Sequence, residues 1–409
     1  MFGQESKAVV PKVMIIGECE VQYLTFTQPI NAHKTPVILL GGAFHSMGSM
    51  MKDAQILAKE NPVYLVSLPG LGSSKQYVAG MNEEDYSLIL RTFFDNLGID
   101  SASLIAQSYS TSIALTFGSL YEERVKKIIL CGVTKELRES VRHLLEESLH
   151  YLVKNEMDRF ASGLALNVMN FSQRRNVACA QSVNRSLFHH LRTFEEEDKA
   201  RYKATFLRMI EQKLDRRAPQ CPVLVISGEF DNFTTPYENF QIARNCPNGE
   251  YIVIKGADHL GTHEKADVYQ RVFKRFLADL PLNRMKDVDV FPKNEFPREK
   301  IRMEPRWLLN DVGFLDNGNG VFVPVNIVDI NNFGCRLFTS FSDHRSLRRD
   351  KKFILHIPSE DMQVDVILFK QTESGHFRGI FKHNTFEVTQ KFEVFINKVS
   401  DTCSSAYAA

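Results

Sequence analysis

The chain has 409 residues, 24% of them charged and 44% hydrophobic, close to the averages for globular proteins. Lys plus Arg exceeds Asp plus Glu by 50 − 49 = +1, so no global field draws the chain to nucleic acid or anionic lipid. These figures exclude a collagen-like, coiled-coil or mainly disordered chain, and at about 150 residues per domain the length suggests two or three domains.

In chain order, Met1–Lys12 is polar and lacks the charged-then-apolar pattern of a signal peptide. Val13–Gly17 and Val21–Phe26 read as an opening pair of strands. Short apolar runs follow at Val37–Gly42, Val63–Leu68, Ser103–Gln107, Lys127–Val133, Val223–Gly228 and Tyr251–Lys255, separated by helical periodicity. That alternation predicts βα units around a mostly parallel sheet. None of the runs approaches the roughly 20 apolar residues of a membrane span. Between Lys135 and about Arg217 only helical spacing is visible, which predicts an inserted helical cap over about 135–217. His189 and His190 within it have no acidic or sulfur partner at metal spacing and read as ordinary polar residues.

Residues 283–297 are rich in Pro and charge and read as a linker between a first domain, 1–282, and a second, 298–400. The second domain is β throughout, with strands predicted at Trp307–Leu315, Val321–Ile330, Arg336–Phe341, Phe353–Ile357, Gln363–Lys370 and His376–Lys382. Asp316-Asn317-Gly318-Asn319-Gly320 is a hairpin turn, and the chain closes with a helix over Gln390–Val399. Seven scattered cysteines, none in a Cys-x-x-Cys pair, argue against a zinc site or a disulfide framework. The expectation is a cytoplasmic protein with no metal, no membrane span and no nucleic-acid partner.

Chemistry enters at Ser108, which follows a strand and opens a helix in Ala106-Gln107-Ser108-Tyr109-Ser110. A nucleophile elbow needs small residues two before and two after the serine, because its sharp turn crowds the neighbouring backbone; Ala106 and Ser110 stand where glycine is usual. Asp231 ends the turn after Val223–Gly228, and His259 ends the turn after Tyr251–Lys255. The order Ser, Asp, His, each beyond the C-terminal end of a strand, is that of a hydrolase triad, and parallel strand ends line one edge of a sheet. Asp258 and His263 compete for the histidine's neighbourhood, and the position directly after the strand favours His259. Backbone N–H groups of Ala43, in Gly41-Gly42-Ala43, and of Tyr109 are placed to form an oxyanion hole.

On these motifs the first 280 residues resemble the α/β-hydrolase family. More narrowly they resemble the bacterial acyltransferases that make the lipid half of rhamnolipids, through Ser108 to Leu115, the Asp231-x-x-Thr234-Thr235 run and Lys255-Gly256-x-x-His259. The resemblance implies a serine enzyme acting on 3-hydroxyacyl thioesters of an acyl carrier protein or coenzyme A. Whether water or a second hydroxyacyl group accepts the acyl unit stays open. An alternative is a hydrolase domain that has lost catalysis and serves as a scaffold for a protein partner.

Arg302-x-x-x-Arg306 precedes the first strand of the second domain, and 23 positions past Arg306 comes Asp329-Ile330-Asn331-Asn332-Phe333-Gly334. The pair resembles the signature of the PilZ family, small β-barrels that bind cyclic di-GMP. It implies cyclic di-GMP as a regulatory ligand, with no other cofactor. Arg302 and Arg306 would fork onto phosphates and guanine edges, Asp329 and Asn331 would meet guanine, and Gly334 would allow close approach. Arg298 and Arg302 offer a second frame for the arginine pair, at a spacing further from the family's. The expected architecture is an α/β-hydrolase with a helical cap followed by a small all-β, PilZ-like barrel.

Overall fold

The structure, a computed structural model, describes residues 10–43, 45–72, 74–212, 214, 218–297, 304–339, 347, 351–373 and 375–402, the side chains of 370, 372 and 373 excepted. The chain divides into two compact units. The first comprises Met1–Leu137, Asn176–Val183 and Thr193–Ile301; the second comprises Arg138–Arg175, Asn184–Arg192 and Arg302–Ala409.

The first unit is built on nine strands: β1 (Lys12–Ile16), β2 (Cys19–Phe26), β3 (Val37–Leu40), β4 (Val63–Ser67), β5 (Ala102–Gln107), β6 (Val125–Cys131), β7 (Val223–Gly228), β8 (Gly249–Ile254) and β9 (Val288–Phe291). They form one sheet in the order β1-β2-β4-β3-β5-β6-β7-β8-β9. Neighbours from β4 to β8 run parallel, and the remaining pairs are antiparallel. Every residue of β3, β5 and β7 is buried, as expected of strands covered on both faces. Strand β9 lies within 283–297, where Pro and charge gave no periodic signal; it adds an antiparallel edge to β8.

The helices in chain order are α1 (Met47–Leu57), α2 (Glu83–Leu97), α3 (Ser110–Leu120), α4 (Glu139–Val153), α5 (Met157–Val168) and α6 (Ala180–Arg192). Then come α7 (Glu196–Glu211), α8 (Pro236–Asn245), α9 (Gly261–Glu264), α10 (Ala266–Leu277) and α11 (Phe386–Thr402). Local chemistry fixes several ends. Asn82 caps α2 in a reciprocal box with Asp85, and Gly98 closes it with φ 64°. Thr235 caps α8 with Glu238, and Pro236 holds its first turn. No described helix is long and apolar enough to cross a membrane.

The second unit holds a closed barrel of β10 (Trp307–Asp316), β11 (Phe322–Asn331), β12 (Gly334–Phe338), β13 (Lys351–Ile357), β14 (Met362–Glu373) and β15 (His376–Lys382). Their order is β10-β11-β12-β15-β14-β13, with β13 returning to β10, and every pair is antiparallel. Val323, Val325 and Ile327 alternate into the core from β11. Phe392, Phe395, Ile396 and Val399 of α11 join that core from one helical face, extending the predicted helix at both ends.

Of the helices found in the predicted cap segment, α4 and α5 belong to the same compact unit as the barrel, α7 belongs to the sheet unit, and α6 is divided between them. Glu147 of α4 is held from the barrel by Lys352 at 3.3 Å, by Lys382 at 3.7 Å and by the Asn384 amide at 3.2 Å. Lys382 is almost fully buried, and that burial pulls its pKa down to about 8. Glu147→Ala would leave this ammonium without its carboxylate, and stranding one member of a buried pair costs about 3–5 kcal/mol. The second unit should therefore unfold at lower urea in Glu147→Ala. Glu147→Leu combined with Lys382→Met should recover most of the loss.

Candidate functional site

Ser108 sits between β5 and α3 with φ 49°, a left-handed conformation that a non-glycine residue adopts only under constraint. The constraint is local. The Ser108 N–H donates to the Cys131 carbonyl of β6 at 2.8 Å. The Ser110 hydroxyl accepts the Gln107 N–H at 3.1 Å and lies 3.0 Å from the Leu40 carbonyl of β3. The serine standing where glycine is usual thus ties the elbow to two strands.

Ser108 Oγ lies 3.0 Å from His259 Nε2, and His259 Nδ1 lies 3.0 Å from Asp231 Oδ2. Both members of the His–Asp pair are buried, with side-chain exposures of 3% and 1%. Asp231 Oδ1 accepts the N–H groups of Phe233 and Thr234 at 2.9 and 2.8 Å, and Oδ2 accepts the Thr234 hydroxyl at 2.8 Å. These donors stabilise an ionised carboxylate facing the imidazole. Asp258 is differently engaged: its Oδ1 accepts the His259 N–H at 2.7 Å, fixing the loop rather than the ring. His263 stacks on His45 at 5.1 Å and makes no hydrogen bond to Ser108 or Asp231 among the described contacts. The three residues singled out from sequence are brought together in one relay.

A Cβ on Gly42 would stand 2.8 Å from Ser108 Cβ, so the Gly41-Gly42-Ala43 turn passes directly against the serine. The Gly42 N–H donates to His45 Nδ1 at 3.1 Å, and burial holds His45 neutral, with its pKa down to about 3. Ala43 and Tyr109 are both buried there. The Tyr109 hydroxyl accepts from Arg208 Nε of α7 at 3.2 Å. Sequence reasoning missed Thr234, His45 and Arg208 as supports. Thr234 alone had a signal, three positions after Asp231.

Residues 35–266 match the alpha/beta hydrolase fold family. The chain belongs to that family. The (R)-3-hydroxydecanoyl-ACP:CoA transacylase of Pseudomonas putida is 23% identical over 260 residues, covering 61% of this chain and 84% of its own. The 2-hydroxy-6-oxononadienedioate/2-hydroxy-6-oxononatrienedioate hydrolase of Paraburkholderia phymatum is 24% identical over 223 residues, covering 53% of this chain and 76% of its own. Among solved structures, an alpha/beta hydrolase from a Medee basin deep-sea metagenome library has a TM-score of 0.58 at 16% identity, covering 67% of this chain and 100% of its own. An alpha/beta hydrolase sheet and a closed six-stranded antiparallel barrel are thus the two parts of this chain, as the sequence implied.

In the barrel unit, Arg306 Nη1 pairs with Asp329 Oδ1 at 2.8 Å, and Arg336 Nη2 pairs with Asp329 Oδ2 at 3.0 Å. Asp329 is only 1% exposed, so two guanidiniums compensate one buried carboxylate. Asn331 Oδ1 accepts the N–H groups of Phe333 and Gly334 at 3.0 and 2.9 Å, shaping the turn between β11 and β12. A Cβ on Gly334 would lie 2.5 Å from the Gly379 carbonyl and 3.5 Å from Arg306 Nη2, so only glycine fits beneath that guanidinium. Arg302 and Arg298 lie outside the described residues. Arg336 was missed from sequence, although it falls two positions past Gly334 and so on the same face of β12.

Beside this site Glu304 accepts hydrogen bonds from the Asn332 amide at 3.2 Å and from the Ser172 hydroxyl, which follows α5. Phe171 packs on Phe333 at 5.3 Å and on His383 at 4.5 Å. Burial pushes the Glu304 carboxyl up to about 7. Its folded-state pKa thus exceeds its unfolded one, so its contribution is greatest below about pH 4.5 and is lost as pH rises through about 7. At 1.36 kcal/mol per pH unit the swing is on the order of 3 kcal/mol. Denaturation followed from pH 4.5 to 8 should show a shallower decline in Glu304→Gln than in the parent chain.

Proposed function

We propose that this chain is a serine acyltransferase or acyl hydrolase acting on fatty-acyl thioesters or esters, under the control of cyclic di-GMP. The relay of Ser108, His259 and Asp231, with its two 3.0 Å links, carries the enzyme half of the reading. Ser108 Oγ attacks the acyl carbonyl while His259 Nε2 takes its proton. Asp231 keeps Nδ1 protonated and stabilises the imidazolium. The N–H groups of Ala43 and Tyr109 receive the oxyanion. Collapse of the tetrahedral intermediate breaks the C–S or C–O bond, and His259 returns the proton to the leaving thiol or alcohol. An acceptor hydroxyl, thiol or water then repeats the sequence on the acyl-serine.

The Pseudomonas putida relative, named for a 3-hydroxydecanoyl carrier-to-CoA transfer, favours a 3-hydroxyacyl thioester as donor. The barrel, residues 298–400 in this reading, takes cyclic di-GMP as a PilZ-type module through Arg302, Arg306, Asp329, Asn331 and Gly334. The hydrolase domain is the sheet unit of residues 1–282 together with β9 of the connection 283–297, which completes its sheet. The four hydrogen bonds that hold Asp231 favour a working triad over a scaffold.

Incubation with 3-hydroxydecanoyl-CoA, followed by intact mass and peptide mapping, tests the enzyme. An acyl adduct on Ser108 is expected. Absence of both adduct and thioester turnover overturns it. Product analysis then separates free acid, made by hydrolysis, from transferred ester or thioester.

A further inference from the structure

The barrel carries a row of like charges that its fold does not need. Asp329 on β11 stands directly opposite Arg336 on β12, and Arg336 stands directly opposite Arg378 on β15. The alternate residues Cys335, Leu337 and Phe377 point into the barrel core, so Arg336 and Arg378 project together from the outer face. Like charges directly opposite on antiparallel strands destabilise the pair. Among the described residues no carboxylate relieves this one. Asp329 is already shared between Arg306 and Arg336, and Arg378 makes no ion pair or hydrogen bond among the described residues. Arg336 Nε is buried and has no hydrogen-bond partner among the described residues. Counting the described side chains, Arg306, Arg336 and Arg378 against Asp329 give 3 − 1 = +2 on one patch, and Lys370 stands opposite Arg378 on β14.

The floor beside the row is bare. Gly334, on the same face as Arg336, has no side chain, and Arg306 Nη2 lies 3.5 Å from where its Cβ would be. Guanidiniums in a row over a flat backbone match phosphodiesters, which accept two parallel N–H bonds from a planar fork.

We infer that Arg336 and Arg378 extend the site of Arg306 and Asp329 into a second phosphate-binding position, which takes a phosphodiester of a cyclic dinucleotide. The inference rests on the cyclic di-GMP reading above and adds two residues that lie outside the arginine and Asp-x-Asn motifs. A cyclic dinucleotide carries two phosphodiester charges, equal and opposite to the patch. The strain of the Arg336–Arg378 pair is then relieved only in the bound state.

The decisive variant is Arg378→Gln, because Arg378 is exposed and makes no ion pair or hydrogen bond among the described residues, so its loss should not disturb folding. Calorimetric titration of the full chain with cyclic di-GMP should give binding weakened about 10- to 100-fold, the usual effect of losing a charge-assisted contact. Its affinity should also fall less steeply with added salt. Without ligand, Arg378→Gln should melt no lower than the parent chain, since a repulsion has been removed. Arg306→Ala serves as the control for the motif itself. If Arg306→Ala loses binding while Arg378→Gln and Arg336→Gln bind like the parent, the inference is overturned and the cyclic di-GMP reading stands. If the parent chain does not bind cyclic di-GMP, that reading fails, and the row is judged with inorganic pyrophosphate instead. Pyrophosphate binding that disappears in Arg378→Gln supports the row; no binding, or equal binding in both proteins, overturns it.

Discussion

Ser108→Ala is expected to abolish labelling by a fluorophosphonate and to lower acyl turnover by at least about 10³-fold, leaving the residue of catalysis that an oxyanion hole and substrate binding provide alone. The expectation follows from the position of the hydroxyl as much as from its chemistry. The left-handed turn at Ser108 holds Oγ 3.0 Å from His259 Nε2, where the imidazole can take its proton. Alanine keeps the turn and removes only the nucleophile, so the melting temperature should change little. Asp231→Asn tests the other end of the relay. The carboxylate accepts three local hydrogen bonds besides the one from His259 Nδ1, and an amide can accept at one atom only. Asparagine would either lose the loop contacts or present N–H to Nδ1, which forces the wrong tautomer at a cost of about 10⁴-fold in a triad. Equal fluorophosphonate labelling of parent and Ser108→Ala would remove Ser108 as nucleophile. Full turnover in Asp231→Asn would remove the relay.

The parts of this site that were legible from sequence share one property: they sit at the ends of short, mostly apolar strands. β5, β7 and β8 are bounded by polar turns, so their C-terminal ends could be read to within one or two residues, and Ser108, Asp231 and His259 with them. β9 escaped because four residues at a sheet edge, with Asp289 among them, show neither an apolar run nor a long alternation. The grouping of α4 and α5 with the barrel escaped for a different reason. It depends on pairs such as Glu147 with Lys352 and Asn167 with the His383 carbonyl, more than 200 positions apart. Such contacts leave no periodic trace, and α4 reads as an ordinary amphipathic helix whichever surface covers it. Arg336 had a readable place, but an arginine inside a strand suggests a solvated face until its register opposite Asp329 is known.

If the barrel binds cyclic di-GMP as proposed, Arg306→Ala is expected to lower that affinity by about 100-fold or more, since in that reading it removes a bidentate guanidinium from the phosphates or guanine edges. Arg306→Lys should fail to restore it, because an ammonium cannot fork onto a planar acceptor. The barrel should remain folded in both variants. Asp329 keeps Arg336 at 3.0 Å, so its buried charge is never left alone. Asp329→Ala is the harsher change, stranding two arginines at once, and should destabilise as well as weaken binding. A second readout locates the consequence of binding. Asn332, within the same turn as Asn331, donates to Glu304, and Glu304 also accepts from Ser172. Phe333 in that turn packs on Phe171. A ligand that orders the turn should therefore slow amide exchange in Phe171–Gln173 and at the end of α5, which are covalently part of the insertion between β6 and β7. Hydrogen exchange with and without cyclic di-GMP measures this directly. Protection confined to the barrel strands would show that the ligand's effect stops at the turn. Protection reaching residues 157–173, and abolished in Glu304→Ala, would make Glu304 the link through which the insertion senses the ligand.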